Sequence, residues 1–476
     1  MTKISPSRFE CFSNKKKKTM NKPFLKETGT RTSVSACGIT LDLSRQRLTQ
    51  TDLDDFIHYA KETDLQGSFR RMCDGKVVNL SENRAALHTS LRAFDASAPF
   101  YEEVNAERER MLAFADRIRS EGKITDVINI GIGGSEMGPH AVWHALQPLN
   151  PTINLHFLST VDGPLLDRIL SRCRPESTLA IVSSKSFGTR ETMVNAEMVD
   201  AWFARAGITG ERRYEHIVTV SSKEDAAESL GLRKENGFKI WPWVGGRFSV
   251  WSAIGLPLAI GLGRETFLSF LRGAKAMDKH ALNAPVSENL PILMALLAYW
   301  DATKLEIPSR CLVPYDCRLD IMPAWLQQLE MESLGKCVLA DGSERVRTRT
   351  GQGIWGSNGN CGQHSFYQWL REGTWCTSID LVKMTDAGHS HEKMARVLNA
   401  NADAQAEALI TRETEEFYNS LMVIELKDLS PEMLGSFMSL YEHKTALFGR
   451  LLKINPFDQP GVEFAKKLAK LMEINN

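Results

Sequence analysis

The sequence predicts an α/β protein built on two doubly wound parallel sheets, with helical N- and C-terminal extensions. Three observations predict it. Short apolar runs at residues 127–130, 178–184 and 216–221 are each followed by a polar or glycine-containing turn, and residues 153–163 read as a further strand together with its turn. Beyond residue 289 the alternation resumes, with strand-like runs at 311–315, 377–382 and 421–426. No linker rich in Pro or Ser, no low-complexity segment and no short-period repeat interrupts the chain, so the two halves are expected to share a broad interface. At 476 residues there is length for two or three domains. The expected division is a disordered basic tail over 1–20, a helical segment over 21–105, sheet domains over 106–265 and 266–430, and a helical arm over 431–476.

Taken in order, residues 51–74 read as helical, because Leu53, Phe56, Ile57 and Ala60 fall on one face behind a Thr49 or Thr51 cap. Ser81 is a possible cap for a further helix through residue 91, which would set Arg84 and His88 one turn apart. A long charged helix is expected over 98–122, and then the first buried strand. That strand runs into Gly131, Gly133, Gly134 and Ser135, with a helix at Pro139. The third strand is followed by the loop KSFGTR and a helix stopped by Gly207. Residues 250–262 form the strongest apolar run. It is too short to span a bilayer and is broken by Gly255, Pro257 and Gly261. Pro291 opens another apolar helix, residues 321–335 read as helical, and helices are expected from Pro431 onward.

Lys plus Arg equals Asp plus Glu at 58 each, so no global field recruits nucleic acid or an acidic membrane. Hydrophobic content of 43% and charged content of 24% describe an ordinary soluble globule. Nine cysteines lie scattered without C-x-x-C spacing, which points to free thiols in a reducing compartment and to no structural metal. No apolar stretch near the start suggests a secretory signal.

Four stretches carry candidate chemistry. The glycine turn ending in Ser135 offers free N–H groups and a helix N-terminus to an anion, although a ligand-free tight turn fits the same residues. It is neither a dinucleotide fingerprint nor a P-loop. Ser183, Ser184, Lys185, Ser186 and Thr189 set four hydroxyls and an ammonium between a buried strand and a helix, suited to a phosphomonoester or simply to capping. Gly245 and Gly246 fix Arg247, which can clamp an anion or steady an oxyanion. Gln328 and Glu332 share a helix face at i, i+4, where the carboxylate could act as a base. His364 and Lys466 are unremarkable singly, and Lys466 shares a face with Val462 and Ala469.

Together the motifs NIGIGGSEMGP, SSKSFGTRET, VGGRFS, QQLEMESLGK, GQHSFYQ, YEHK and FDQPGVE, in this order, resemble the glucose-6-phosphate isomerase (phosphoglucose isomerase) family from about Gly75 to the C-terminus. The resemblance implies two sugar-isomerase (SIS) domains and a cytoplasmic homodimer needing no metal or organic cofactor. It matches Ser135, Ser184, Lys185, Ser186 and Thr189 to positions holding a substrate phosphate, and Arg247 to the arginine stabilising an enediolate. Gln328 and Gln459 match glutamines lining the pocket, and Glu332 matches the base moving a proton between C2 and C1. His364 and Lys466 match the pair assisting ring opening, with the histidine reaching in from a partner subunit. Departures occur at Ser186, Gly188, Arg190 and Leu334, and at residues 358–361, which read NGNC where PGTN is common; none removes a charged catalytic side chain.

The expected activity is interconversion of glucose 6-phosphate and fructose 6-phosphate through a cis-enediol, with no nucleic-acid or membrane partner. A non-catalytic sugar-phosphate sensor on the same domains is the alternative, but it has no use for Glu332, Arg247, His364 and Lys466 together.

Overall fold

A computed structural model describes residues 24–25, 32–411 and 419–462; the basic tail and Lys466 lie outside the described residues. The strands in the first half of the chain are β1 (Ser33–Ala36), β2 (Ile39–Asp42), β3 (Asp126–Ile130), β4 (Asn154–Leu158), β5 (Thr178–Ser183) and β6 (Ile217–Ser221). Then come β7 (Gly237–Lys239), β8 (Ser309–Pro314), β9 (Gly353–Gly356), β10 (Ser378–Met384) and β11 (Ser420–Leu426). They form two sheets.

The first sheet is wholly parallel, in the order β4-β3-β5-β6-β7. Every residue of β3, β5 and β6 is buried, because helices cover both faces, and this is why these strands read as continuous apolar runs. The order reverses between β3 and β5. Such a switch point opens a crevice at the carboxyl ends of the two strands, where ligands of open α/β sheets settle. The second sheet runs β1-β2-β11-β10-β8-β9 and repeats the same parallel arrangement, with one addition. The β1–β2 hairpin pairs antiparallel with β11, so the segment expected to be helical over 21–105 contributes two strands to the far sheet.

A second departure concerns residues 81–91, expected as a helix behind a Ser81 cap. Asn79 and Arg84 instead form an antiparallel bridge, with Asn83 at φ 50°, and Ser90–Arg92 adds only a short 3-10 turn. Polar side chains explain it. Asn79 accepts from Asn455 at 2.8 Å, and Ser81 donates to Asp458, so both are engaged with the far end of the chain rather than with a local helix.

The helix Pro431–Leu451 is buried along almost its whole length. Its YEHK motif meets a polar partner at each position: Tyr441 donates to Asp380 (2.9 Å), Glu442 accepts from Arg92 (2.7 Å), His443 meets Asp278 (2.8 Å), and Lys444 meets Glu330. Buried charges persist only when paired in this way. Glu330 lies on the helix Met322–Leu334, so Lys444 anchors from behind the helix whose other face carries Gln328 and Glu332. Among the described residues no helix is long and apolar enough to cross a membrane.

Candidate active site

The turn after β3 packs against a second glycine loop. A Cβ on Gly134 would lie 2.1 Å from the Gly246 carbonyl carbon, so only glycine permits this approach. Gly133 has φ 60°, and a Cβ there would come 3.0 Å from the Gln328 amide nitrogen. Ser249 Oγ donates to the Gly134 carbonyl at 3.3 Å, and Asn129 Nδ2 donates to the Ser135 carbonyl at 2.9 Å. Ser135 therefore stands at the switch point in a turn fixed from both sides.

The loop after β5 occupies the other lip of the crevice. Ser184 Oγ donates to Thr189 Oγ1 at 3.3 Å, and Ser186 is exposed. Lys185 Nζ donates to the carbonyls of Pro242 (2.8 Å) and Val244 (2.6 Å), which ties this loop to the segment leading to Arg247. Two of its three protons are used in this way. Burial, and after it the charges of Arg84 and Arg247, bring the ammonium down to about 8.

Arg247 is buried and fully engaged. Its Nε donates to Ser333 Oγ (2.6 Å), Nη1 to Gln459 Oε1 (3.1 Å), and Nη2 to the carbonyls of Pro456 (2.6 Å) and Asp458 (3.1 Å). Nη1 also faces Glu332 Oε1 at 3.4 Å. Burial pulls the guanidinium below its ordinary range while the Glu332 and Asp458 carboxylates push it back up. Gln328 Nε2 donates to Glu332 Oε2 at 3.1 Å, as the i, i+4 spacing predicts. The Glu332 side chain remains a quarter exposed.

The structure thus joins Arg247, Gln328, Glu332 and Gln459 by direct contacts, sets Ser135 in the turn beside Gln328, and ties the loop of Ser184, Lys185, Ser186 and Thr189 to the segment leading to Arg247. It does not bring His364 into these contacts. His364 caps the short helix Gly359–Gln363 from an exposed position on the second sheet's side.

Sequence reasoning missed the scaffold behind these groups. Lys336 donates to the carbonyls of Glu332 (3.0 Å), Ser333 (3.1 Å), Asn455 (3.1 Å) and Asp458 (2.8 Å), locking the helix end to the 455–458 loop. Burial and the neighbouring Arg247 charge lower its ammonium. A lysine directly after Gly335 at a helix end was the available signal, since it suits the last carbonyls of a helix. Lys185, Arg247 and Lys336 give the crevice a local positive field that the neutral chain as a whole lacks.

Chemically, the arrangement offers a hydroxyl-lined anion site, a partly exposed carboxylate and a fixed guanidinium beside it. Comparison with known proteins shows the family. The chain matches the family described as phosphoglucose isomerase over residues 42–423 and 418–475. A glucose-6-phosphate isomerase of Paraburkholderia phymatum is 40% identical over 471 residues, covering 93% of this chain and 87% of that protein. One from Paraburkholderia xenovorans is 40% identical over 464 residues, covering 92% and 86%. Among solved structures, a glucose-6-phosphate isomerase from Chlamydia trachomatis superposes with a TM-score of 0.85 at 30% identity, over 95% of this chain and 93% of that one.

Proposed function

Because the chain belongs to the phosphoglucose isomerase family and interconverts glucose 6-phosphate and fructose 6-phosphate, we propose that Glu332 is the group that shuttles the proton. The observation that carries this assignment is the Glu332 carboxylate held between Gln328 and Arg247 beside the Ser135 turn. Ser135, Ser184, Lys185, Ser186 and Thr189 hold the phosphate of the sugar, far from the reacting carbons, and so fix its orientation. With the sugar open, Glu332 removes the proton from C2. The C2–H electrons form the C1–C2 double bond, and the carbonyl pair moves onto O1. Arg247, fixed by its own acceptors, supplies a preorganised positive charge beside that developing oxyanion. The hydroxyl proton of O2 passes to O1, the O2 pair re-forms a carbonyl at C2 as the C1–C2 double bond opens, and return of the proton to C1 completes the ketose. Gln328 and Gln459 line the pocket, and His364 and Lys466 assist ring opening.

In this reading Glu332→Gln lowers kcat by about 10²–10⁴-fold, the usual cost of one acid–base group. Deuterium from solvent then ceases to appear at C1 of fructose 6-phosphate, while affinity for the sugar phosphate changes little. Equal losses in kcat and affinity would make Glu332 a structural residue.

The exposed position of His364 supports a homodimer in which each chain lends its imidazole to the partner's site. Mixing Glu332→Gln with His364→Ala chains should then restore roughly a quarter of the sites through mixed dimers. No recovery on mixing would place the imidazole in its own chain's site. The setting is cytoplasmic in this proposal, in keeping with cysteines that are free among the described residues.

A further inference from the structure

At the amino end of the first sheet, opposite the crevice, three side chains of metal-ligating type converge from separate stretches. Asp126 opens β3. His156 lies two residues beyond Asn154, the register partner of Asp126 on β4, and so shares its face. Cys173 sits in the turn before β5. One donor atom from each lies within 4.8 Å of the other two. Asp126 and Cys173 are buried and His156 is half-buried, which places the cluster just beneath the surface. His156 Nε2 is 2.9 Å from Asp126 Oδ1, and among the described residues no Lys or Arg pairs with this carboxylate. Thr125 Oγ1 donates to Asp126 Oδ2 at 2.8 Å, holding the carboxylate from behind as metal-site carboxylates usually are.

We propose that Asp126, His156 and Cys173 bind one divalent cation of borderline softness, Zn²⁺ being the best match, with a fourth position left to water. The mixed O, N, S donor set selects such an ion over Mg²⁺ or Ca²⁺, which prefer oxygen alone. Tetrahedral zinc keeps its ligand atoms roughly 3.3–3.8 Å apart, so side-chain rotations of about 1 Å close the site. Binding releases the Cys173 thiol proton to solvent, and the imidazole carries its own proton on Nδ1, turning the Nε2 lone pair to the ion. The ion staples β3, β4 and the turn before β5. It stands five residues of strand away from the crevice, and no group of the proposed proton transfer touches it. The three positions are widely separated in the chain, which is why cysteine spacing gave no hint of a metal.

The test is titration of chelator-treated protein with Co²⁺. The expected result is one ion per chain with a thiolate-to-cobalt charge-transfer band and the visible bands of a tetrahedral site. Zn²⁺ should displace the cobalt and raise Tm. Cys173→Ser should remove the charge-transfer band. His156→Gln should weaken binding by roughly ten-fold or more, a loss that even outer partners of a metal site can cause. Both variants should retain isomerase activity. Absence of the band in the unmodified chain, or a band undiminished in Cys173→Ser, would overturn the proposal. The latter would mean the ion sits on the exposed thiols Cys317, Cys337 or Cys361.

Discussion

The two sheets share a topology and differ in what fills it. In each, the first and third parallel strands flank a switch point: β3 and β5 in one, β8 and β10 in the other. At the first, the turns after the strands carry Ser135 and the hydroxyls around Lys185. At the second, the protein's own side chains bridge the turns after the strands. Arg318, just past β8, pairs with Asp316 at 2.7 Å and donates to the Ala387 carbonyl past β10 at 2.9 Å, while Tyr315 and Tyr367 share a hydrogen bond of 3.1 Å. The same arrangement carries the proposed site in one place and a side-chain bridge in the other. Fold supplies the location, and side chains decide its use.

The second sheet still contributes, but through a helix face. The helix Met322–Leu334 follows β8 and carries Glu332 across to the first sheet's crevice. In this account the phosphate end belongs to one sheet and the acid–base end to the other, and variants at the two ends should fail differently. Arg247→Ala should show the largest effect, a fall in kcat of about 10²–10³-fold, typical for loss of a preorganised oxyanion donor. Steady-state kinetics checks this, and a change confined to KM would contradict the role. Lys185→Met should act mainly on KM, raising it roughly ten-fold, since it removes one charged contact to phosphate. It should also change the pH profile. Burial lowers the free-enzyme pKa of Lys185 to about 8, so the charge is present below that pH and lost as pH rises through it. The unmodified enzyme should therefore lose kcat/KM above about pH 8, and Lys185→Met should lack that limb. Arg318→Ala, at the bridged switch point, should leave kcat/KM within about two-fold and cost no more than about 1 kcal/mol of stability, as a partly exposed ion pair predicts.

How much of this was legible in the chain follows from how local each feature is. Strands β3, β5, β6, β8, β10 and β11 showed themselves because burial on both faces leaves an unbroken apolar run. The β1–β2 hairpin did not, since its strands are only four residues each and its partner β11 lies near the other end of the chain. Residues 81–91 misled for a related reason: the groups that satisfy Asn79 and Ser81 are Asn455 and Asp458. The same division holds in the site. Each lip of the proposed phosphate crevice is a single continuous stretch, so an anion cradle could be weighed there against a bare turn or helix capping without any long-range contact. The acceptors that fix Arg247, namely Ser333, Pro456, Asp458 and Gln459, are brought together only by folding. Roles for His364 and Lys466 came from motif resemblance alone.

A crystal structure with a six-carbon sugar phosphate bound would show whether the phosphate and acid–base ends meet over one substrate. The account predicts phosphate oxygens within about 3 Å of the Ser135 and Ser184–Thr189 hydroxyls. It also predicts the Glu332 carboxylate within about 3–3.5 Å of C1 and C2, in reach for proton transfer. A phosphate held instead at the Arg318 switch point, or a sugar chain directed away from Glu332, would contradict it.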